Sequence, residues 1–214
     1  MAYSVVPLVA TGDLWTAANH NTYVRDNMTA IFVGTTAGDT DYYTGAANKS
    51  RLAVGSAGQI KRVNAAANAP MWGGIVYGQI YAAVDTTVGT AADTLIEMDT
   101  ATINVDGFVG APVNDRITIP AGFSGYYLAH YYVQIDANAA GYRTVKLRRN
   151  VGLVDIENTM VRMEAVNGGD TQMAAMAIIH ADAGDYITIC VYQNSGGDLD
   201  VELARLSLLL VLGD

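Results

Sequence analysis

From residue 75 onward the sequence is a succession of short runs with apolar residues at alternate positions, each closed by a turn, and no other feature constrains the fold as tightly. Candidate strands fall at 76–84, 94–98, 101–105, 116–119, 125–135, 143–150, 152–157, 160–166, 172–180, 185–193 and 198–212. Between them lie Asp106-Gly107, Pro120-Ala121-Gly122, Asn138 to Gly141, Asn167-Gly168-Gly169-Asp170, Asp182-Ala183-Gly184 and Asn194-Ser195-Gly196-Gly197, all strong turn formers. These connections are too short for the crossover helices of a parallel sheet, so the chain reads as an antiparallel sandwich or jelly roll.

The faces of individual strands add a second constraint. In 125–135, Tyr127, Ala129, Tyr131, Val133 and Ile135 form an apolar core face. The opposite face carries Tyr126, Leu128, His130, Tyr132 and Gln134, too aromatic for open solvent. In 185–193, Tyr186, Thr188, Cys190 and Tyr192 oppose Ile187, Ile189 and Val191, and the last strand is apolar on both faces from Leu206 to Leu212, including Leu208 and Leu210. Strands apolar on both sides imply a layer beyond the sandwich's own core. Tyrosine suits such a layer because its ring buries area while its hydroxyl stays hydrogen-bonded. A homo-oligomer covering Tyr126, Leu128, His130, Tyr132, Tyr186, Tyr192, Leu208 and Leu210 is the simplest source of it.

Charge bears on the partners. The 214 residues carry 12 basic and 21 acidic side chains, a net charge of −9, and only 15% of residues are charged against 51% hydrophobic. Such a chain has enough apolar material to order itself. Up to residue 75 the balance is near neutral, with Arg25, Lys49, Arg51, Lys61 and Arg62 against Asp13, Asp26, Asp39 and Asp41. The remainder is strongly acidic, which argues against binding to nucleic acid. No apolar run is long enough for a membrane-spanning helix, and the first residues lack the pattern of a signal peptide, so synthesis in the cytoplasm is expected. Cys190 is the single cysteine, which excludes an intrachain disulfide.

Ahead of the strands, Thr16 is placed to cap a short helix, with Trp15 able to fold back on His20. His20, Val24, Asn27, Met28 and Ile31 line one narrow helical face, better suited to docking on another surface than to building a core. Residues 34–74 are rich in Gly, Ala, Thr, Ser and Asn, with short strands expected at 51–54 and 59–63. So long a stretch with little apolar pattern reads as an extended connector or stalk.

Two family resemblances follow. Ile117-Thr118-Ile119-Pro120-Ala121-Gly122-Phe123-Ser124-Gly125-Tyr126-Tyr127 resembles the strand, Pro, Gly-x-Tyr signature of the C1q/tumour-necrosis-factor-like (C1q/TNF-like) jelly roll. The segment from Ala181 through Gly184-Asp185-Tyr186 to Asn194-Ser195 resembles that family's Gly-Asp, strand, turn segment, followed here too by an apolar final strand. Over about residues 76–214 this resemblance implies a ten-stranded sandwich forming tight trimers.

The front end is similar to a segment near the start of tailed-bacteriophage virion proteins, through Thr16, Ala17, Asn21, Val24, Arg25, Asp26 and Asn27. Ala57-Gly58-Gln59-Ile60-Lys61-Arg62-Val63-Asn64 and Ala69-Pro70-Met71-Trp72-Gly73 resemble the stalk of the same proteins. This resemblance implies anchoring to other virion structural proteins, of capsid or tail, through Trp15, Tyr23, Val24, Arg25 and Met28.

Candidate chemistry is sparse. His20, His130 and His180 show no metal-ligand spacing, and Ser195 lacks the context of a hydrolase nucleophile. Asp198, Asp200 and Glu202 share one face of a regular strand and could hold Ca²⁺, although a solvated, aggregation-blocking edge is the favoured reading. Arg143, Lys146, Arg148 and Arg149 concentrate positive charge in one strand, and pairing with acids of a neighbouring subunit is favoured over a polyanion or glycan contact.

The expectation is therefore an all-β, C1q/TNF-like jelly-roll head (75–214), preceded by a helical attachment segment (1–33) and a stalk-like segment (34–74). It is expected to form a homotrimeric phage surface appendage or decoration protein that is no enzyme and uses no cofactor. The alternative is a host receptor- or glycan-binding lectin head of a tail fibre, with ligand contacts in loops 106–114 and 167–171.

Overall fold

The computed structural model of the chain describes residues 14–31, 33–45, 48–105, 108, 115–150, 152 and 154–214. Residues 1–13, and the expected ligand loop 106–114 apart from Phe108, lie outside the described residues. The chain divides into two units, residues 1–74 and 75–214.

In the first unit Thr16 Oγ1 accepts from the Asn19 backbone N–H at 3.2 Å, which starts helix α1 (Ala17–His20) as a side-chain cap should. One π turn, Asn21–Arg25, carries the chain into α2 (Asp26–Ile31). Trp15 packs on Tyr23, with ring centroids 6.2 Å apart, and not on His20 as expected. The π turn changes the residues per turn, so the ring meets the aromatic partner one turn further along.

Two hairpins then occupy the low-complexity stretch. Strand β1 (Thr40–Gly45) pairs with β2 (Asn48–Leu52), and β3 (Ile60–Val63) pairs with β4 (Pro70–Gly73). Only two strands were expected there. The added order comes from side chains that replace an apolar core. The Asp39 carboxylate accepts from the backbone N–H groups of Thr35, Thr36 and Val54, and these bonds hold its pKa below the usual value. The Trp72 indole donates to the Ala53 carbonyl at 2.7 Å.

The second unit is a sandwich of two six-stranded antiparallel sheets. Its strands are β5 (Tyr77–Tyr81), β6 (Thr86–Val88), β7 (Asp93–Leu95), β8 (Thr100–Asn104), β9 (Ile117–Thr118), β10 (Gly125–Ile135), β11 (Tyr142–Arg149), β12 (Val154–Asp155), β13 (Val161–Glu164), β14 (Thr171–Ala181), β15 (Tyr186–Gln193) and β16 (Leu199–Gly213). One sheet runs β14-β10-β16-β5-β8 with β6 also on β16; the other runs β12-β11-β15-β7 with β13 on β11 and β9 on β15. The first and last strands of the unit pair with each other in one sheet, while consecutive strands alternate between sheets from β6 to β11 and from β13 to β16, which is jelly-roll connectivity. Two strands beyond the ten implied by resemblance come from short pieces; β6 escaped the sequence reading because three residues give no period.

The core lies between the sheets, on the faces the alternation marks. Tyr127, Ala129, Tyr131, Val133 and Ile135 of β10 meet Val145 and Leu147 of β11 and Ile187, Ile189 and Val191 of β15, all fully buried. The Tyr131 hydroxyl donates to the Thr159 carbonyl, so the one polar atom of this ring is satisfied. Burial lifts its pKa to about 12.

Candidate functional site

The outer face of the β14-β10-β16 sheet is the surface that most needs a partner. Antiparallel register places directly opposed residues on one face. Rows therefore cross the three strands as His180, Tyr126 and Leu212; Ile178, Leu128 and Leu209; Met176, His130 and Ser207; Ala174, Tyr132 and Arg205; and Gln172, Gln134 and Leu203. Beyond them β5 adds Tyr77, Gln79 and Tyr81. Met176 is 68% exposed, Ile178 61%, Leu212 62% and Tyr126 45%. Apolar side chains at such exposure, contiguous on one sheet, are the mark of an interaction surface.

The face is graded along the strands. Gln134 ends it with a polar network, donating to Asp170 at 3.0 Å and Glu202 at 2.6 Å and accepting from Tyr132 at 3.2 Å. Gln79 donates to Ser207 and Tyr77 and accepts from Thr102. Between these networks a shallow depression of about 260 Å³ is lined by His130, Tyr132, Leu203 and Arg205.

Of the residues expected at an interface, Tyr126, Leu128, His130 and Tyr132 lie together on this face. Leu208 and Leu210 do not. Leu208 opposes Ala129 and is fully buried in the sandwich core, and Leu210 opposes Tyr127 and packs on the same core. The reason is a β-bulge between the Gln134 and Ile135 pairings, which leaves Glu202 extra on β16 and turns the even-numbered residues that follow inward, while a second bulge, with Val211 extra, returns Leu212 to the outer face. Leu209 and Leu212 occupy the outer face in their place.

Tyr186 and Tyr192 belong to the other sheet and are partnered within the chain. The Arg116 guanidinium lies 4.2 Å over the Tyr186 ring. Tyr192 stacks on Tyr142 at 5.6 Å, and Arg162 caps Tyr142 at 3.6 Å. The second layer over this sheet is thus made by cations of the same chain.

The basic strand is corrected in the same way. Lys146 bonds Asp93 at 3.1 Å and Asp155 at 2.9 Å, and Arg148 bonds the same two carboxylates. Arg149 lies 3.6 Å from Asp185. Arg143 is buried in the sandwich end, where it donates to the Ala140 carbonyl at 2.6 Å and the Asn138 carbonyl at 3.1 Å. These cations find their partners within the same chain. Cys190 lies buried beside the Lys146–Arg148 pairs, and burial raises its thiol to about 11.

Among the described residues, the carboxylates of Asp198, Asp200 and Glu202 do not converge. Asp200 accepts from Thr87 at 2.6 Å, Glu202 accepts from Gln134, and the bulge at Glu202 breaks the regular spacing on which a shared face depended. Among the described residues, the potential ligands whose donor atoms converge are instead His180, Asp182 and Asp214. Sequence distance hid that trio: its members come from β14, the turn after it and the residue that follows β16. Ser195 is a turn residue, its Oγ donating to the Gly197 carbonyl.

The anchoring residues divide by exposure. Trp15, Met28 and Arg25 are exposed, whereas Tyr23 and Val24 are half-buried. Arg25 pairs with Asp26 at 2.8 Å.

No protein-family model matches the sequence, and no curated protein matches it. Among solved structures the chain is similar to the globular domain of zebrafish complement 1qA, at 9% identity over 64% of this chain and 98% of that one, with a TM-score of 0.47. It is similar to Eiger TNF from S. frugiperda at 10% identity over 65% and 94% (TM-score 0.49), and to murine APRIL at 12% over 63% and 99% (TM-score 0.46).

Proposed function

We propose that the protein is a structural, non-enzymatic subunit of a tailed-phage virion, anchored through its N-terminal segment, residues 1–33, and displaying the jelly-roll head as a homotrimer. The observation that carries the oligomer is the apolar face of exposed Met176, Ile178 and Leu212 with half-buried Leu128 and Leu209, which runs across three adjacent strands. Covering it with the same face or an edge of another copy removes this surface from water without a second gene product. The trimer count and the virion setting rest on the sequence resemblances at Gly125-Tyr126-Tyr127 and at Thr16 to Asn27.

A trimer also gives the head its mode of action. Three copies of a weak surface contact on one particle act with high effective concentration, so tight single contacts are not required.

Sedimentation equilibrium of the full chain tests the assembly. A mass of three chains at micromolar concentration is expected, and a monomer would overturn it. Particles assembled with a chain lacking residues 1–33 should lack this protein, and its retention would overturn the anchor.

A further inference from the structure

One corner of the head, at the end of the outer face where His180 opposes Tyr126, gathers an imidazole and two carboxylates from three places in the chain. His180 stands near the end of β14, Asp182 in the turn that follows, and Asp214 just past β16. One donor atom from each lies within 4.8 Å of the others, and His180 Nε2 is 3.0 Å from Asp214 Oδ2. We propose that His180, Asp182 and Asp214 bind one Zn²⁺ per chain, with water completing the coordination.

The donor set selects the ion. One imidazole nitrogen with two carboxylate oxygens suits a borderline transition ion, and Ca²⁺ or Mg²⁺ would want oxygen alone. Tetrahedral Zn²⁺ with bonds of about 2.0–2.1 Å places its donors roughly 3.3 Å apart, so rotation of exposed carboxylates is enough to close the trio.

The site is held in place by groups that do not themselves bind. Ser124 clasps both acid-bearing segments: its Oγ accepts the Ala183 N–H at 2.9 Å, and its carbonyl accepts the Asp214 N–H at 3.1 Å. The Tyr126 ring meets the His180 imidazole edge-on at 4.9 Å and fixes its plane. Fixing the orientation of a metal-binding histidine in this way raises affinity.

The local charge asks for a cation. Among the described residues no lysine or arginine pairs with Asp182 or Asp214. The nearby Arg149 is turned to Asp185, at 3.6 Å, and to the His180 carbonyl, at 3.3 Å.

The test is calorimetric titration of the full, untagged chain with Zn²⁺, together with the visible spectrum after Co²⁺ substitution. Expected are saturation at one equivalent per chain and a tetrahedral-type Co²⁺ band. Asp182→Asn and Asp214→Asn should each weaken Zn²⁺ at least about tenfold, and the double variant should abolish binding, while Asp198→Asn should change nothing. Circular dichroism without metal confirms that each variant folds, and if one does not, wild-type stoichiometry and the Co²⁺ band decide. Absence of one-equivalent binding, or undiminished affinity in the folded double variant, would overturn the site; it would leave the trimer untouched.

Discussion

Gly125 lies against the main chain of Leu212: a methyl group added at Gly125 would come within 2.2 Å of the Leu212 carbonyl oxygen. The φ of Gly125, +152°, is also one that side chains resist. The start of β10 therefore closes on the end of β16 only through glycine. Gly125→Ala should destabilise the head by about 2–3 kcal/mol, measured by urea unfolding of the full chain. Because the same contact delivers Asp214 to His180, this variant should also lose Zn²⁺ affinity.

The buried Arg143 is predicted to tolerate loss of its charge better than loss of its bulk. Its guanidinium satisfies two carbonyls, its Nε has no partner, and burial lowers its pKa. Arg143→Ala should cost about 3 kcal/mol, through a cavity and two orphaned carbonyls. Arg143→Met fills the space without an unpaired buried charge and should cost roughly half as much. Equal losses in thermal unfolding would contradict this.

On the outer face, Met176→Glu with Ile178→Glu should leave the fold intact and dissociate the oligomer. Both side chains are mostly exposed in one chain, so neither supports the core. Like charges brought together at a shared face cost several kcal/mol, and sedimentation should show monomers at micromolar concentration.

Acid stability should carry the signature of Asp155. Its hydrogen bond to Lys146, opposed in part by burial and assisted by Arg148, holds the carboxyl below its usual 3.8. A group whose pKa is lower folded than unfolded contributes fully above the unfolded value and loses that contribution as pH falls through the folded one. Asp155→Asn should therefore flatten the fall of stability between about pH 5 and pH 2. An unchanged slope in urea midpoints across that range would refute the role.

Cys190 should be silent toward thiol reagents at pH 8 in the folded chain and react fully in denaturant. Burial pushes its thiol to about 11, so little thiolate forms and none of it is accessible. Prompt labelling of native protein would show that the sheet opens at β15.

The period of two made the head legible in the sequence, and it failed where the strand itself departs from it. Along β10 every residue of the core face is buried as the alternation requires. Along β16 the bulge at Glu202 placed Leu208 and Leu210 in the core and Leu209 outside, and the bulge at Val211 returned Leu212 to the outer face, offsets no apolar pattern reveals when every residue from Leu208 to Leu212 is Leu or Val. The partners of Lys146 and Arg148 were hidden for another reason. Asp93 is 53 residues from Lys146, and only the strand order places β7 and β12 on either side of β15 and β11. In the first unit, order comes from single hydrogen-bonding residues such as Asp39, which leave no periodic trace.

The two bulges of β16 have a further effect on how the chain can vary. They divide fifteen residues into three stretches, each in its own phase with β10. Unbroken alternation would turn Glu202 inward between Val133 and Ile135; as the extra residue it turns outward to Gln134. A slip of the strand by one residue would bury that carboxylate and expose Leu206 and Leu208. Glu202 thus acts as a detent on the registration of the closing strand, fixing which leucines face outward and which stay in the core.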